Sequence, residues 1–131
     1  MDSREPCSIL LIDDDLVVLQ CLAATLADFA PVRFAISGKT GLKLARKSTP
    51  DLVLLDVDMP ELNGFEVCKA FKADPSLSHV PIIFLSGHES LELRAQGFKL
   101  GAVDFINKPS TAAEILTRVR VQILAHVSQR A

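Results

Sequence analysis

The stretch Asp51–Gly64, DLVLLDVDMPELNG, decides the fold of this chain. Its apolar run Leu52–Leu55 lies between Pro50 and Asp56, and a short run of this kind is typical of a parallel strand whose two faces are both buried. Asp56 is therefore placed at the carboxyl end of the strand, where open α/β sheets bind their ligands. The proline, asparagine and glycine that follow predict a turn and then a helix. A turn or helix-capping role is the ordinary alternative for such an aspartate.

Four further apolar runs flank this strand, and helical patterns separate them. The other strands are expected at Ser8–Ile12, Val32–Ile36, Ile82–Leu85 and Val103–Ile106. The helices are expected at Leu16–Phe29, Ser37–Lys47, around Phe65, Cys68 and Phe71, at Glu89–Leu100 and at Thr111–Val127. Strands that alternate with helices in this way predict an α/β fold with right-handed crossovers. At this length we expect a doubly wound, flavodoxin-like, five-stranded parallel sheet of order 2-1-3-4-5.

The composition indicates one compact domain. The chain has 131 residues, of which 49% are hydrophobic, and this is enough for one core with little room for a second. We therefore expect a single domain over residues 1–131, with its core at about residues 8–127.

Charge and cysteine usage argue against several classes of function. With 14 basic and 16 acidic residues, the formal charge of -2 favours neither nucleic acid nor an anionic membrane as a direct partner. No apolar run has the length of a membrane span, and the N-terminal MDSREPC is polar. The spacing of Cys7, Cys21 and Cys68 fits neither a disulfide framework nor a zinc site, so we expect thiols in a cytoplasmic protein. Cys21 and Cys68 are expected to face the core.

Polar residues follow the strands at one edge of the predicted sheet. The carboxyl ends of parallel strands meet at that edge, and the residues that should converge there are Asp13, Asp14, Asp56, Ser86 and Lys108. Carboxylates crowded into one crevice repel each other, and a hard divalent cation such as Mg²⁺ relieves this repulsion. The set predicts phosphoryl transfer, with Asp56 as acceptor, Lys108 as the opposing charge and Ser86 as a hydroxyl donor.

Each of these residues also has an ordinary structural explanation. The run Asp13–Asp15 could cap the first helix, a role that fits Asp15 best. Ser86 could belong to a turn, and Lys108 to a solvated loop. Their joint placement at the ends of strands 1, 3, 4 and 5 is what favours the functional interpretation.

Four blocks of sequence, ILLIDDD, DLVLLDVDMPELNGFEV, PIIFLSG and GAVDFINKP, resemble the signature blocks of the response-regulator receiver domain of two-component signalling. The resemblance, to receivers of the chemotaxis type, covers nearly the whole chain. It implies phosphorylation by a sensor histidine kinase or a phosphotransfer protein, with Mg²⁺ as cofactor and Mn²⁺ as a substitute. It also implies that the chain is no enzyme beyond its own phosphotransfer and autodephosphorylation.

The resemblance further implies a role for each residue at the carboxyl edge. Asp56 would accept the phosphoryl group, and Lys108 would bind its oxygens. The metal ligands would be Asp13, Asp14, Asp56 and the backbone carbonyl of Asp58. The switch would consist of the Ser86 hydroxyl and the Phe105 ring. In the family the lysine-proline bond, here before Pro109, is usually cis.

The same resemblance places the output surface on helix 4, strand 5 and helix 5. The apolar stripe of the last helix that should cover the sheet consists of Ala112, Ile115, Leu116, Val119 and Ile123. Val121 and Leu124 fall outside this stripe and are expected to be exposed. They are either scattered surface residues or part of a surface for a partner or a phosphorylation-dependent homodimer. The output itself would be a domain beyond Ala131 or a separate protein.

Some residues depart from the family pattern or have no role in it. The side chain of Asp58 adds a carboxylate beside the acceptor, where it either influences attack by water on the acyl phosphate or is a solvated bystander. Phe105 replaces the commoner tyrosine and offers no hydroxyl to a partner. The histidines match no ligand spacing and are expected at the surface: His79, His88 and His126.

Two other functions fit part of the pattern. Asp56 and Asp58 in LLDVDMP resemble the DxD signature of haloacid-dehalogenase-type phosphatases, but those enzymes place the nucleophile strand before the acidic pair, and the order here is reversed. A non-phosphorylated scaffold of the same fold is the other alternative. Such scaffolds usually lose an acidic, acceptor or lysine position, whereas this chain has all of them.

Overall fold

The computed structural model describes residues 7–88 and 90–130, in which five strands alternate with five helices. The strands are β1 Ile9–Ile12, β2 Val32–Ala35, β3 Leu52–Asp56, β4 Ile82–Ser86 and β5 Asp104–Asn107. The helices are α1 Leu16–Leu26, α2 Gly38–Lys47, α3 Gly64–Ala73, α4 Leu91–Lys99 and α5 Ala112–Arg130. Among these helices there is none with both the length and the apolar character needed to cross a membrane.

The strands form one parallel sheet of order β2-β1-β3-β4-β5, which confirms the predicted doubly wound fold. β3 is the central strand, and Leu52–Leu55 is fully buried, as expected for a strand covered on both faces. The register pairs Ile12 with Leu55 and Asp56 with Leu85, so neighbouring strands end at nearly the same level. The residues that follow β1 and β3 therefore lie side by side.

Successive strand residues face two separate cores. Leu10 and Val53 pack with α2, α3 and α4 on one face, whereas Leu11 and Leu54 pack with α1 and α5 on the other. Because side chains alternate along a strand, each apolar strand contributes to both cores. The sheet is thus held rigidly between two helical layers, and its polar strand ends remain at the edge.

Helix caps fix the loops at this edge. The side chain of Asp15 accepts a hydrogen bond from the Val17 amide at 2.9 Å, which confirms its predicted role as a helix cap. Asn63 and Glu66 form a reciprocal capping box at the start of α3. Just inside this cap, a side chain at Gly64 would collide with the backbone carbonyl of Asp56, so only glycine lets the helix start directly behind β3.

Several element ends differ from the prediction by one to three residues. α1 ends at Leu26 instead of Phe29, because the chain turns there and the amides of Phe29 and Ala30 both donate to the Leu26 carbonyl. α4 begins at Leu91, after Ser90 caps it, instead of at residue 89. Such shifts do not change the order or type of any element.

Two predictions of burial were wrong. Cys21 is exposed, because the buried face of α1 is formed by Leu19, Leu22 and Leu26, and Cys21 points away from it; Cys68 is buried, as expected. Ala112 is also exposed, since it is the first residue of α5 and lies ahead of the part that covers the sheet.

The rest of the α5 stripe was predicted correctly. Ile115, Val119 and Ile123 are buried in the core shared with α1. Val121 and Leu124 are 57% and 68% exposed, which confirms that they lie outside the stripe.

Candidate functional site

The sheet brings three carboxylates together. Asp13 follows β1 and Asp56 ends β3, and ligand atoms of Asp13, Asp14 and Asp56 all lie within 4.8 Å of one another. Asp13 and Asp56 are only 1% and 3% exposed, whereas Asp14 is exposed to solvent. The predicted convergence of the acidic residues therefore exists, with two of them buried and one on the open side.

Lys108 supplies the opposing charge. Its Nζ lies 3.0 Å from Oδ2 of Asp13 and 3.0 Å from Oδ1 of Asp56. Burial by itself lowers the pKa of Lys108, but the hydrogen bonds to Asp56 and Asp13 outweigh it, and the net shift of the pKa is upward. The bond between Lys108 and Pro109 is cis, in agreement with the family pattern. The lysine is thus a permanent cation within the acidic cluster.

The surroundings of Asp56 disfavour its charged form. Burial is the largest cause and raises the pKa of Asp56 to about 6. The hydrogen bond from Lys108 lowers the pKa, while repulsion from Asp13 and Asp14 raises it further. A carboxyl group with such a shift, at a strand end in a crevice, is typical of functional sites.

The donor set fits a hard divalent cation. Three carboxylates within 4.8 Å offer the oxygen ligands that Mg²⁺ prefers, and an exposed Asp14 leaves one side open for water or phosphate. A divalent cation would also offset the negative charge that Lys108 alone leaves uncompensated: three carboxylates face one ammonium group. The residues present therefore suit the metal that the receiver family typically binds.

The Ser86 hydroxyl lies at the same edge but contacts its own loop. Ser86 ends β4 and is fully buried; its Oγ accepts from the His88 amide at 3.0 Å and donates to the His88 carbonyl at 3.3 Å. Phe105, the predicted switch aromatic, is 1% exposed and has its ring 6.0 Å from that of Phe84. The structure thus describes the inward position of the ring.

Sequence reasoning did not foresee a contact between His88 and Asp58 at the rim of the site. Nε2 of His88 lies 3.3 Å from Oδ2 of Asp58, and both side chains are more than half exposed. His88 is at the surface as expected, but it has a partner. The signal was present: Asp58 follows Asp56 by two residues, and His88 follows Ser86 by two residues. Because β3 and β4 are neighbours, equal offsets from their ends place the two side chains face to face.

The prediction for His126 was wrong. It is 7% exposed, and its Nε2 lies 3.3 Å from Oδ1 of Asp51 at the amino-terminal edge of the sheet. His79 is exposed, as expected, and stacks on His126 with ring centroids 6.0 Å apart. α5 is long enough to reach the opposite edge of the sheet, and its seventh residue after Val119 faces inward there.

An apolar cavity lies beside the lysine. It has a volume of about 250 Å³ between α1 and α5, and its lining includes Val17, Cys21, Ile106, Lys108 and Pro109. Leu16 and Val17 are 55% and 66% exposed at the start of α1. The acidic site therefore has an exposed apolar surface next to it.

The family model described as "response regulator receiver domain" matches residues 9–120. The chain belongs to this family. Receiver domains of response regulators act in phosphorylation-dependent signalling, and this is accordingly the general function of the chain. Membership explains why three carboxylates and a lysine share one crevice.

Curated relatives and solved structures agree with this assignment. The chain is 38% identical over 113 residues to response regulator PleD of Caulobacter vibrioides, and 37% identical over 112 residues to transcriptional regulatory protein CiaR of Streptococcus pneumoniae. Each match covers 86% of the chain, which spans 25% of the length of PleD and 49% of CiaR. The structure of chemotaxis protein CheY4 of Vibrio cholerae matches with TM-score 0.84 and 29% identity over 88% of this chain and 98% of that one. The Francisella response regulator 1452 receiver domain matches with TM-score 0.84 and 27% identity, over 92% and 98%.

Proposed function

We propose that Asp56 accepts a phosphoryl group from a sensor histidine kinase or a phosphotransfer protein. The observation that carries this proposal is a buried carboxylate at the end of β3, 3.0 Å from the Lys108 ammonium and crowded by two further carboxylates. The proposed metal ligands are Asp13, Asp14, Asp56 and the backbone carbonyl of Asp58, with Mg²⁺ as the resident ion and Mn²⁺ as a substitute.

The side chains would divide the work as follows. An ionised Asp56 oxygen attacks phosphorus, and the bond between phosphorus and the donor breaks as the acyl phosphate forms. Lys108 neutralises charge on the transferring oxygens, and the Ser86 hydroxyl leaves the His88 carbonyl to donate to one of them. Mg²⁺, when bound, offsets the combined charge of the phosphoryl oxygens and the carboxylates. Attack by water on the acyl phosphate later releases phosphate, so the chain acts only on its own phosphoryl group.

The apolar surface beside the site supports docking of the phosphoryl donor. Leu16 and Val17 are exposed, and the cavity between α1 and α5 opens next to Lys108. A donor protein that covers this surface brings its phosphorylated histidine close to Asp56. On this proposal the chain is a single receiver domain over residues 1–131 that works in the cytoplasm with protein partners and makes no direct contact with nucleic acid or membrane.

Transfer of phosphate from a small donor tests the acceptor. The wild-type protein, incubated with acetyl phosphate and Mg²⁺, should gain one acid-labile phosphate, and EDTA should prevent the gain. Asp56→Asn should gain none, whereas the matched control Asp51→Asn, at the other end of the same strand, should be phosphorylated like wild type. Incorporation into Asp56→Asn at the same position and rate would falsify the assignment.

We propose that the output leaves through α4, β5 and α5. Ser86, drawn toward the phosphoryl group, would vacate space into which Phe105 turns, and this changes the surface that carries Val121 and Leu124. The reader of this surface is an output domain, a separate protein or a second copy of the chain. Ser86→Ala should still be phosphorylated but lose the output response; a full response would count against the coupling.

Sedimentation distinguishes the second copy from the other readers. Because a switch acts through differential affinity for its two states, beryllofluoride with Mg²⁺ should cause association of the wild-type chain. Val121→Asp should prevent this association. If beryllofluoride causes no association, the phosphorylation-dependent homodimer is excluded. If Val121→Asp associates as strongly as wild type, the contact lies elsewhere.

A further inference from the structure

Arg94 of α4 makes two contacts with Phe105. Its guanidinium carbon lies 5.4 Å from the centroid of the Phe105 ring, and its Nη1 donates to the Phe105 carbonyl at 3.2 Å. A guanidinium at this distance over a ring face is held by the ring quadrupole, and the carbonyl bond fixes the cation in place. Arg94 is half-buried, whereas the ring beneath it is 1% exposed.

Among the described residues, no carboxylate pairs with the cation of Arg94. Within residues 7–88 and 90–126, Arg94 forms no salt bridge, unlike Arg118 of α5, which pairs with Asp104 of β5 at 2.8 Å and with Glu114 of its own helix at 3.3 Å. The interactions described for its guanidinium are therefore both with Phe105. The position of the Arg94 guanidinium is thus defined by its contacts with Phe105.

Gly97, three residues further along α4, shapes the other side of the ring. A side chain at Gly97 would place its Cβ 3.2 Å from Cδ2 of Phe105 and 3.0 Å from Cδ2 of Phe84. Glycine inside a helix costs stability relative to alanine. Here it lets α4 approach β5 closely enough for the ring to fit inward, with Arg94 over it.

We propose that Arg94 and Gly97 form a latch that holds Phe105 inward, and that Arg94 is the positioning residue that sets the resting population of the outward ring. The inference rests on the proposed switch role of Phe105. Outward rotation removes the Phe105 ring from the Arg94 guanidinium. The contact between the two groups therefore stabilises only the state in which the ring is inward. Without this contact, the ratio of outward to inward ring should rise about threefold to tenfold.

This ratio also sets the response to a phosphate mimic. If only the outward state binds the mimic tightly, the apparent affinity falls in proportion to the fraction of molecules in that state. Arg94→Met keeps the aliphatic stem but removes the cation and the donor, so it should lower the beryllofluoride concentration at half response by the same threefold to tenfold. Arg94→Lys keeps a cation and should have a smaller effect. Gly97→Ala should act in the same direction as Arg94→Met.

Fluorine NMR on the full chain, labelled with 4-fluorophenylalanine, reports on the ring directly. The Phe105 resonance among the 7 phenylalanines is identified by its loss in Phe105→Leu. Its broadening by a soluble paramagnetic agent measures ring exposure before any phosphate mimic is added. The matched control is Arg120→Met, since the Arg120 guanidinium lies 6.0 Å from the ring of Phe29 in α1's layer, away from the switch.

The expected result is greater broadening of the Phe105 resonance in Arg94→Met and a beryllofluoride midpoint lowered threefold to tenfold, with both unchanged in Arg120→Met. Unchanged broadening and midpoint in a folded Arg94→Met would overturn the latch, while a normal wild-type response would leave the proposed function intact. If the wild-type Phe105 resonance does not respond to beryllofluoride although acetyl phosphate phosphorylates Asp56, Phe105 is not the switch. In that case the broadening of the Phe105 resonance in Arg94→Met without beryllofluoride decides whether Arg94 holds the ring inward. Equal changes in Arg94→Met and Arg120→Met also overturn the latch, because they show a general effect of losing a surface cation.

Discussion

Asp51 immediately precedes strand β3 and Asp56 is its last residue, and the two carboxylates have opposite surroundings. At the amino end, Asp51 accepts a hydrogen bond from the Ser8 amide at 2.9 Å and faces Nε2 of His126 at 3.3 Å. At the carboxyl end, Asp56 faces one cation, Lys108, but shares its crevice with two other carboxylates. Asp51 thus has complementary partners, whereas Asp56 is crowded by like charges.

This comparison shows that the carboxyl end of β3 lowers the stability of the fold. Burial and, to a smaller extent, repulsion from Asp13 and Asp14 raise the pKa of Asp56 to about 6, which means that folding is less favourable when Asp56 is charged. Proteins retain such local conflicts at functional sites, where a ligand relieves them. A cation and a phosphoryl group are ligands of this kind, whereas the amino end needs none. The two ends should therefore respond in opposite directions to loss of charge.

The largest expected effect is a pH-dependent gain of stability in Asp56→Asn. Because the folded pKa of about 6 lies above the ordinary 3.8, the folded state binds more protons between these values. Wild type therefore loses stability as the pH rises from about 4 through about 6, and asparagine, which stays neutral, does not. Without metal, the free energy of unfolding of Asp56→Asn should exceed that of wild type by about 0.5 kcal/mol at about pH 4 and by at most about 3 kcal/mol at about pH 7.

Urea unfolding of both proteins in EDTA, from acid to neutral pH, measures this difference. Taking the difference between the two proteins removes the contributions of titrating groups that do not interact with Asp56. A difference that stays constant with pH would contradict the raised pKa of Asp56 and with it the contrast between the two ends of β3.

The second expected effect has the opposite sign. Asp51→Asn should lower the free energy of unfolding at neutral pH by about 2 kcal/mol, because removal of one partner leaves the buried His126 without its carboxylate. The same urea unfolding experiment measures it, and Asp28→Asn, an exposed aspartate in the α1–β2 turn, is the control. A gain of stability in Asp51→Asn would show that the amino end is strained as well.

Only one of these two ends was predicted correctly from the sequence. The carboxyl end followed from topology, since parallel strands bring Asp13, Asp56 and Lys108 to one edge whatever the details of packing. The amino end was missed because His126 was assigned to the surface by residue type. Its spacing indicated otherwise: Val119, Ile123 and His126 recur at positions that share one helical face. Cys21 was expected on the core-facing side of its helix, but it is exposed because it lies about 200° around α1 from the buried Leu19.

The contacts around the switch depend on distances that no pattern contains. The sequence identified Phe105, but the position of Arg94 over its ring depends on how closely α4 approaches β5. That approach is set by tertiary packing at Gly97, where α4 lies close to the rings of Phe84 and Phe105. Residue types and topology thus predict which groups meet at a strand end, while side-chain packing decides how they touch.

A smaller effect is expected from relieving the crowding without touching the acceptor. Asp14→Asn removes one of the three carboxylates at its exposed corner, so the metal-free protein should melt a few degrees higher. If Mg²⁺ binds as proposed, it should stabilise wild type by mass action, and loss of a ligand should abolish this stabilisation. Thermal melting with and without Mg²⁺ measures both changes, and Asp28→Asn again serves as the control. An unchanged response to Mg²⁺ in Asp14→Asn would exclude a ligand role for this residue.

The smallest expected effect concerns the rim of the crowded end, where Asp58 and His88 form an exposed pair at 3.3 Å. Exposed pairs are worth at most about 1 kcal/mol, so breaking this one should change the rate of phosphoryl loss by about twofold to fivefold. If the pair restricts water at the mouth of the crevice, Asp58→Asn and His88→Gln should each accelerate the loss, and the double variant should be no faster than either single one. The decay of acid-labile phosphate after removal of acetyl phosphate measures the rates. The opposite pattern is slower phosphoryl loss in Asp58→Asn together with faster phosphoryl loss in His88→Gln. It would mean that the Asp58 carboxylate directs water toward the acyl phosphate and that His88 restrains this carboxylate. The rim would then take part in the chemistry at the carboxyl end of β3.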